Sequence, residues 1–225
     1  MGLESRCAYF GNPWIGMFVK GNDDVTLIPV DSMDKLENKA KDNLKTEIVK
    51  TTLGQSNLIG VYTAMNSSGA VLPNVADEKE AEVFRKLGLN VYVSKDKRNA
   101  HGNNICVNNK GGIINPRIPE SEKRRIEDAL GVELVSTTLA GYHTVGSSCL
   151  STDKGFLAHF KTTPDELKML EDVFKVKGEI GTVNTGSGFV SYGVVANSKG
   201  YIAGEQTTPF ELGRVIQAMD LLDKD

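Results

Sequence analysis

The segment HGNNICVNNKG at residues 101–111 decides the fold, because a close relative of it, VGSSCLSTDKG, stands at residues 145–155. In both segments the second residue is glycine, and the segment ends in Lys-Gly. The ten-residue pattern from Gly102 to Gly111 and from Gly146 to Gly155 is called the frame. It also fits residues 60–69, 191–200 and, more loosely, 16–25. The five frames begin about 44 residues apart, a period typical of repeat architectures. The chain therefore reads as five copies of one short unit.

A turn residue recurs three positions before the end of each frame: Asn22, Asn66, Asn108, Thr152 and Asn197. Glycine tolerates positive φ, and asparagine both tolerates it and bonds its own backbone, so this pattern is typical of tight turns. Each unit is therefore predicted to open with a β-hairpin, in which the frame supplies a strand, a turn and a second strand.

An amphipathic stretch with a helix-start signal follows each hairpin. In Thr163–Glu166 and Thr208–Glu211, threonine can cap the helix, proline fits the first turn and glutamate completes a capping box. The predicted helices span Asp31–Lys45, Asp77–Leu87, Glu120–Leu130, Thr163–Phe174 and Thr208–Leu222. A third strand, often rich in threonine, comes next, as in Glu47–Gly54, Glu133–Ala140 and Glu179–Asn184. The unit thus reads β-β-α-β.

The fifth unit lacks its last strand, because only Asp223–Asp225 follow its helix. Ser5–Phe10, at the other end of the chain, is the segment that can supply it. Exchanging a strand between the termini closes the repeat into a ring and leaves no long exposed edge. We therefore predict an α/β fold of five β-β-α-β repeats in a closed pseudo-fivefold ring, an α-β propeller. It is one domain over 1–225, with repeats at about 11–54, 55–97, 98–141, 142–186 and 187–225, closed by strand 3–10.

Composition narrows the function classes. The 225 residues are 40% hydrophobic and 24% charged, with a net charge of −3, so no global basic field attracts nucleic acid. The three cysteines are an odd number without a CxxC pair, which favours a reducing compartment and argues against zinc. No apolar run approaches the length of a membrane span. We expect a cytoplasmic protein, monomeric, with no metal, no cofactor, no membrane and no DNA partner.

Five-bladed rings of this unit resemble the pentein superfamily, which includes enzymes that modify guanidino groups with a nucleophilic cysteine. The alternative function is therefore such an enzyme, drawing on Cys7, Cys106 or Cys149 and on His101, His143 or His159. At the positions of Cys106 and Cys149 the other units carry mostly small or apolar strand residues, so we interpret both as packing residues. The pentein enzymes carry their nucleophile in the last unit, where this chain has no cysteine. We expect no catalysis.

Two short basic clusters, Lys95–Arg98 and Lys123–Arg125, are interpreted as solvated faces that can touch RNA phosphates only locally.

Five motifs in order resemble the translation initiation factor six family, of the archaeal type. They are Ile59-Gly60 with Asn66–Gly69, Ala100–Asn103, Val145–Ser147, Gly181–Gly186 and Thr207–Leu212. The resemblance covers all five units. His101 departs from it, since the family usually has leucine there. The chain also stops just after the fifth helix, without the regulatory tail of eukaryotic members.

The resemblance implies a factor that binds the large ribosomal subunit at its intersubunit face. There it would contact a large-subunit protein near the sarcin–ricin loop of the rRNA and block docking of the small subunit. It also implies a link to large-subunit maturation. The matching positions are Val61, Asn66, Asn103 and Asn104. For Asn66 turn geometry is the stronger interpretation, and for Val61 the alternative is packing within a strand.

Overall fold

The computed structural model describes residues 3–222, and over that range the chain is a mixed α/β protein with five three-stranded sheets. The strands are β1 Arg6–Cys7, β2 Lys20–Gly21, β3 Val25–Pro29, β4 Glu47–Thr51, β5 Ala64–Met65, β6 Gly69–Leu72, β7 Asn90–Val93, β8 Ile105–Val107, β9 Gly112–Ile114, β10 Leu134–Ser136, β11 Cys149–Ser151, β12 Phe156–His159, β13 Gly178–Gly181, β14 Val194–Asn197 and β15 Gly200–Gly204. Five longer helices are α1 Asp34–Leu44, α3 Glu78–Lys86, α5 Glu120–Leu130, α7 Pro164–Phe174 and α9 Pro209–Ala218.

Four helices of a single turn complete the fold: α2 Ile59–Tyr62, α4 His101–Asn104, α6 Val145–Ser148 and α8 Val190–Gly193. Short 3-10 turns span Leu3–Ser5 and Ile15–Met17. The sequence predicted strand at the start of each frame, and the alternative interpretation of Val61 as a strand residue was wrong, because Val61 lies in α2. Four residues are too few to show a helical period, which is why the pattern did not reveal these turns.

Every sheet has the same arrangement. The second strand of each hairpin is central, antiparallel to the first strand and parallel to the strand that follows the long helix, as in β11-β12-β13. The last sheet takes its third strand from the N-terminal end of the chain. β1 pairs in parallel with β15, with Arg6 opposite Ala203 and Cys7 opposite Gly204. The predicted origin of this strand is confirmed, although it spans only Arg6–Cys7.

Four of the five long helices begin within one residue of the predicted position, and α3, α7 and α9 do so at a side-chain cap. The helix predicted from Asp31 instead begins at Asp34 and has no side-chain cap. Thr163 and Thr208 each accept a hydrogen bond from the backbone N–H of the glutamate three residues later, and that glutamate bonds back. The observed α5 has the predicted limits, whereas α9 ends at Ala218 rather than Leu222. No helix among residues 3–222 is both long and apolar enough to cross a membrane.

The hydrophobic core lies between consecutive units. Leu170 and Phe174 of α7 share a buried cluster with Ile113, in the sheet of the preceding unit. In the same way, Leu36 and Leu44 of α1 pack with Ile202 in the sheet of the fifth unit. The helix of the first unit therefore covers the sheet of the last one.

The turn asparagines also join one unit to the next. Asn108 Oδ1 accepts from the backbone N–H groups of Lys110 (2.9 Å) and Gly111 (3.0 Å), which forms the predicted turn. Its Nδ2 donates to the carbonyls of Thr152 (3.0 Å) and Phe174 (2.9 Å) in the next unit. Asn22, Asn66 and Asn197 make corresponding bonds, and Asn197 donates to Asn22 O at 3.1 Å.

Thr152 takes the asparagine position in the fourth unit and keeps its bonds within its own turn, to Lys154 N, Gly155 N and Gly155 O. A hydroxyl cannot donate the two bonds that an amide can. We expect Asn108→Thr to lower the free energy of unfolding by about 1–3 kcal/mol and Thr152→Asn to raise it by about 1 kcal/mol. Urea denaturation of the two variants tests this pair, and equal stability of both with the wild type would contradict the role given to the amides.

Candidate functional site

Five short turns of helix contact one another in succession: Ile15–Met17, α2, α4, α6 and α8. We call these five turns the collar. A Cβ on Gly60 would collide with the carbonyl of Gly16, and one on Gly102 would collide with the carbonyl of Gly60. Gly146 abuts Gly102 O in the same way, and Gly16 abuts Ser191 O. Glycine therefore allows the backbones of neighbouring turns to touch.

We call the third residues of the five collar turns the rim: Met17, Val61, Asn103, Ser147 and Tyr192. Val61 and Asn103 hold the same place on the neighbouring turns α2 and α4, and both residues are partly exposed, although Asn103 Oδ1 is buried. Ser147 is buried, and its Oγ donates to Thr144 O at 2.6 Å. The structure thus brings together two of the four residues that the resemblance indicates.

Asn104 ends the same turn as Asn103 but points into the protein. It is buried, and its Oδ1 accepts from Asn115 Nδ2 at 2.8 Å. The backbone N–H of Asn115 donates to Asn104 O, also at 2.8 Å. These bonds hold α4 against the end of β9. Asn104 therefore fixes the position of α4 and affects the rim only indirectly.

Asn66 lies at the far end of β5, away from the collar. It is 3% exposed, its Oδ1 accepts from Ser68 N and Gly69 N, and its Nδ2 donates to Asn108 O and Leu130 O. Every hydrogen-bonding group of its side chain has a partner inside the protein. These contacts favour the interpretation of Asn66 as a turn residue, while its role in binding stays a prediction.

A central cavity lies between the collar and the asparagine turns. Each unit contributes a residue to its wall: Gly21, Met65, Val107, Ser151 and Ala196. Towards the collar the wall includes Lys20, the single cation among the described lining residues. Burial lowers the pKa of its ammonium group. Within residues 3–222 no carboxylate forms an ion pair with it.

Lys20 is the residue that sequence reasoning missed. The corresponding first-strand positions of the other units are Ala64, Cys106, Leu150 and Val195, so a lysine at this place is the exception. The sequence therefore did contain a signal for Lys20, namely a charged residue at a position that is uncharged in the other four repeats.

The cysteines do not form the pair that the enzyme alternative requires. All three are buried, and within residues 3–222 no histidine donates to or accepts from a cysteine. Burial raises the pKa of Cys7 to about 12, so its thiol is not a nucleophile near neutral pH. His159 is held by Lys161 N–H at its Nδ1 (3.0 Å) and stacks on Phe160.

His101, the departure from the family pattern, begins α4 beside Asn103 and is 0% exposed. Neither ring nitrogen has a hydrogen-bond partner in the described part of the chain. Burial lowers its pKa to about 4, against smaller opposing effects of Glu122 and Asp96. The imidazole is therefore neutral at pH 7 and acts as a packed ring.

Carboxylates within residues 3–222 pair with all three cations of Lys123–Arg125, but in Lys95–Arg98 they pair only with Arg98. Arg98 lies 3.0 Å from Asp96, and Lys123 lies 3.6 Å from Glu127. Arg124 and Arg125 have Glu120 and Glu122 within 4.0 Å. The ion pairs reduce the positive charge that Lys123–Arg125 can offer to phosphates.

Comparison with known proteins yields one family. The model of the eIF-6 family matches residues 4–218. Similar proteins named Translation initiation factor 6 come from Picrophilus torridus (40% identical, covering 95% of this chain and 98% of the relative) and Methanocaldococcus jannaschii (37% identical, 99% and 100%). A third, from Pyrobaculum aerophilum, is 36% identical over 93% of this chain and 96% of its own length.

Proposed function

Because the chain belongs to the eIF-6 family and is a translation initiation factor, we propose that it binds the large ribosomal subunit at its intersubunit face. There it prevents premature association with the small subunit by occupying the docking surface, and it takes part in large-subunit maturation. Its partners are a large-subunit protein and the adjacent sarcin–ricin region of the rRNA. It works in the cytoplasm as a monomer and without a cofactor.

We infer that the five units close into a ring of the pentein type. Three independent contacts between the last and the first unit support closure. β1 pairs with β15, Asn197 Nδ2 donates to Asn22 O, and Gly16 packs against Ser191 O. A closed ring is a rigid scaffold, and rigid scaffolds present partners through the short segments at their ends.

The observation that carries the proposal is the pairing of Val61 and Asn103 on neighbouring collar turns. Both residues are partly exposed, and the backbones beneath them are locked by glycine contacts. A partly apolar rim on a rigid base suits a protein–protein contact, because little conformational entropy is lost on binding. The net charge of −3 agrees with a contact made mainly to protein rather than to rRNA alone.

Occupancy of a surface needs no reacting group, and the buried thiols fit that mechanism. The guanidino-modifying alternative needs a thiolate beside a proton-shuttling histidine. Cys106, the one cysteine with a lowered pKa, has Cys149, Ser151 and Lys20 as its neighbours, and no histidine is among them. We therefore assign the function to binding.

We expect Val61→Asp to weaken binding to purified large subunits by roughly tenfold or more, because a carboxylate in a desolvated contact has no partner. Asn103→Ala should weaken it as well. Co-sedimentation through a sucrose cushion measures both effects, and thermal melting shows whether each variant is folded.

Val135→Asp is the matched control for the valine change. Val135 is 40% exposed on β10, the strand of its sheet farthest from the central cavity. The Val135→Asp variant should bind like the wild type. If the wild type binds large subunits and the two rim variants bind equally well, the rim is not the contact surface. If the wild type does not sediment with large subunits, the proposed function itself is wrong.

A further inference from the structure

We propose that the central cavity binds one monatomic anion, with the size and charge of chloride, between the ammonium group of Lys20 and the hydroxyl group of Ser151. Both residues belong to the wall of the part of the cavity next to the collar, which we call the collar half. The proposed function uses neither of these side chains.

Lys20 places a positive charge in a wall that is otherwise mostly apolar. Its neighbours in the collar half include Val19, Leu150, Val194 and Val195. The residue is partly accessible, yet the protein around its ammonium group lowers the pKa by desolvation. The accessible part of Lys20 therefore faces the cavity rather than the outer surface.

No group among residues 3–222 neutralises this charge. Lys20 Nζ forms no ion pair and donates no hydrogen bond to them. Two carboxylates, those of Asp23 and Asp153, do line the cavity, but in the part next to the asparagine turns, which we call the asparagine half. Each accepts a backbone N–H there, Asp23 from Ser198 (2.7 Å) and Asp153 from Asn109 (2.9 Å). A buried ammonium without a counter-ion is costly, so binding of a diffusible anion beside it is favoured.

Ser151 offers a second donor to the same space. Its Oγ accepts a hydrogen bond from Cys106 Sγ at 3.5 Å, which leaves the hydroxyl hydrogen free to donate. In the described part of the chain no group accepts that hydrogen. Ser191, whose hydroxyl also belongs to the collar half, already donates to Ser147 O at 3.2 Å. The wall therefore contributes one charge and one unused hydroxyl donor.

The volume of the collar half suits a small anion. It is about 40 Å³, and a single water needs roughly 10–15 Å³ on the same measure. A halide ion is only somewhat larger than water, so it fits together with water that completes its shell. An organic anion such as gluconate is too large to enter.

The donors favour a monatomic anion over an oxyanion. Phosphate and sulfate are typically held by several N–H groups or by the planar fork of an arginine. No arginine is among the described wall residues of the collar half, and the ammonium of Lys20 is a compact point charge. A singly charged halide also costs less to desolvate than a doubly charged oxyanion.

An anion can reach the collar half from the asparagine half, because the two halves are continuous. They share the wall residues Gly21, Met65, Val107, Ser151 and Ala196. The asparagine half extends to Asn109, which is exposed at the surface. Asp23 and Asp153 make the asparagine half unfavourable for an anion, so the site is confined to the collar half.

The first test measures the melting temperature of the full-length protein at constant ionic strength, while sodium chloride or sodium bromide replaces sodium gluconate. Constant ionic strength keeps the screening of surface charges unchanged. An anion that binds only the folded protein raises the melting temperature as its concentration rises. We expect a saturable gain of roughly 2–4 °C in chloride and in bromide.

Lys20→Met removes the charge while keeping a long, flexible side chain. This variant should lose the saturable gain and keep only the general effect of exchanging one salt for another. Lys79→Met is the matched control, since Lys79 is exposed on α3, and it should respond like the wild type. Equal halide dependence of the wild type and Lys20→Met would overturn the proposal.

Crystals of the wild type in sodium bromide give a second readout that needs no variant. We expect an anomalous bromide peak in the collar half, within hydrogen-bonding distance of Lys20 Nζ and Ser151 Oγ. If the collar half holds only water at a bromide concentration that saturates the melting curve, the proposal is wrong. Any stabilisation by halide would then come from another place on the protein.

Discussion

A Gly102→Ala variant is expected to lose about 3 kcal/mol of stability, the upper end of the usual cost of overpacking, because the backbone it meets cannot move aside. The added methyl group would overlap the carbonyl oxygen of Gly60 and lie 2.9 Å from Thr63 O. Both are backbone atoms, one in the collar turn α2 and one directly after it, so no side-chain rotation relieves the clash. Because Asn103 follows directly, the rim would be displaced as well. Chemical denaturation gives the free energy of unfolding, and co-sedimentation gives the loss of binding.

Gly213→Ala is the matched control. Gly213 lies inside α9, and an added Cβ meets no atom within 4 Å. Alanine favours a helix over glycine by about 1 kcal/mol, so this variant should be slightly more stable than the wild type. If Gly102→Ala were as stable as Gly213→Ala, the collar would not be packed through its glycines.

The second large effect is a loss of stability in acid that depends on His101. Its pKa is about 4 in the folded protein, against 6.5 in the unfolded chain. As the pH falls, the His101 ring therefore takes up its proton at a higher pH in the unfolded chain than in the folded protein. The stability that the neutral ring provides is complete above pH 6.5 and is lost as the pH approaches 4. The difference corresponds to about 3 kcal/mol.

His101→Leu removes this part of the pH dependence. The variant should also be more stable at pH 7 by about 1–2 kcal/mol, since two buried ring nitrogens without partners disappear. His159, whose pKa is lowered by burial and by Lys161, still contributes in both proteins. The comparison is therefore between the slopes of the two stability curves from pH 7 to pH 4. Equal slopes would show that His101 does not titrate with unfolding.

The elements that the sequence predicted well are those with a local signal. The limits of α5 came from its acidic start and its amphipathic stretch, and Thr163 and Thr208 cap the helices that they were expected to cap. β1 was found because the fifth unit lacked a strand. The single-turn helices of the collar were missed because their structure is set by contacts between units. The sequence shows a glycine at position 60, but only the structure shows that Gly16 O lies against it and leaves no room for a side chain.

The candidate site was predictable in a different way. Val61 and Asn103 came from the resemblance to a family, and only the structure shows that they share one place on neighbouring turns. Asn66 was expected to be a turn residue, and its hydrogen bonds fit that interpretation. Lys20 was missed because its place in the cavity wall depends on how the first strands of the five units lie together, which no motif records.

The central claim is that this protein acts by occupying the joining face of the large subunit. The direct measurement mixes purified large and small subunits with increasing amounts of the protein and separates free from joined particles on a sucrose gradient. The claim predicts that joined particles disappear as one molecule binds each large subunit, and that Val61→Asp needs roughly tenfold more protein for the same effect. Normal joining on large subunits that are saturated with the protein would contradict it.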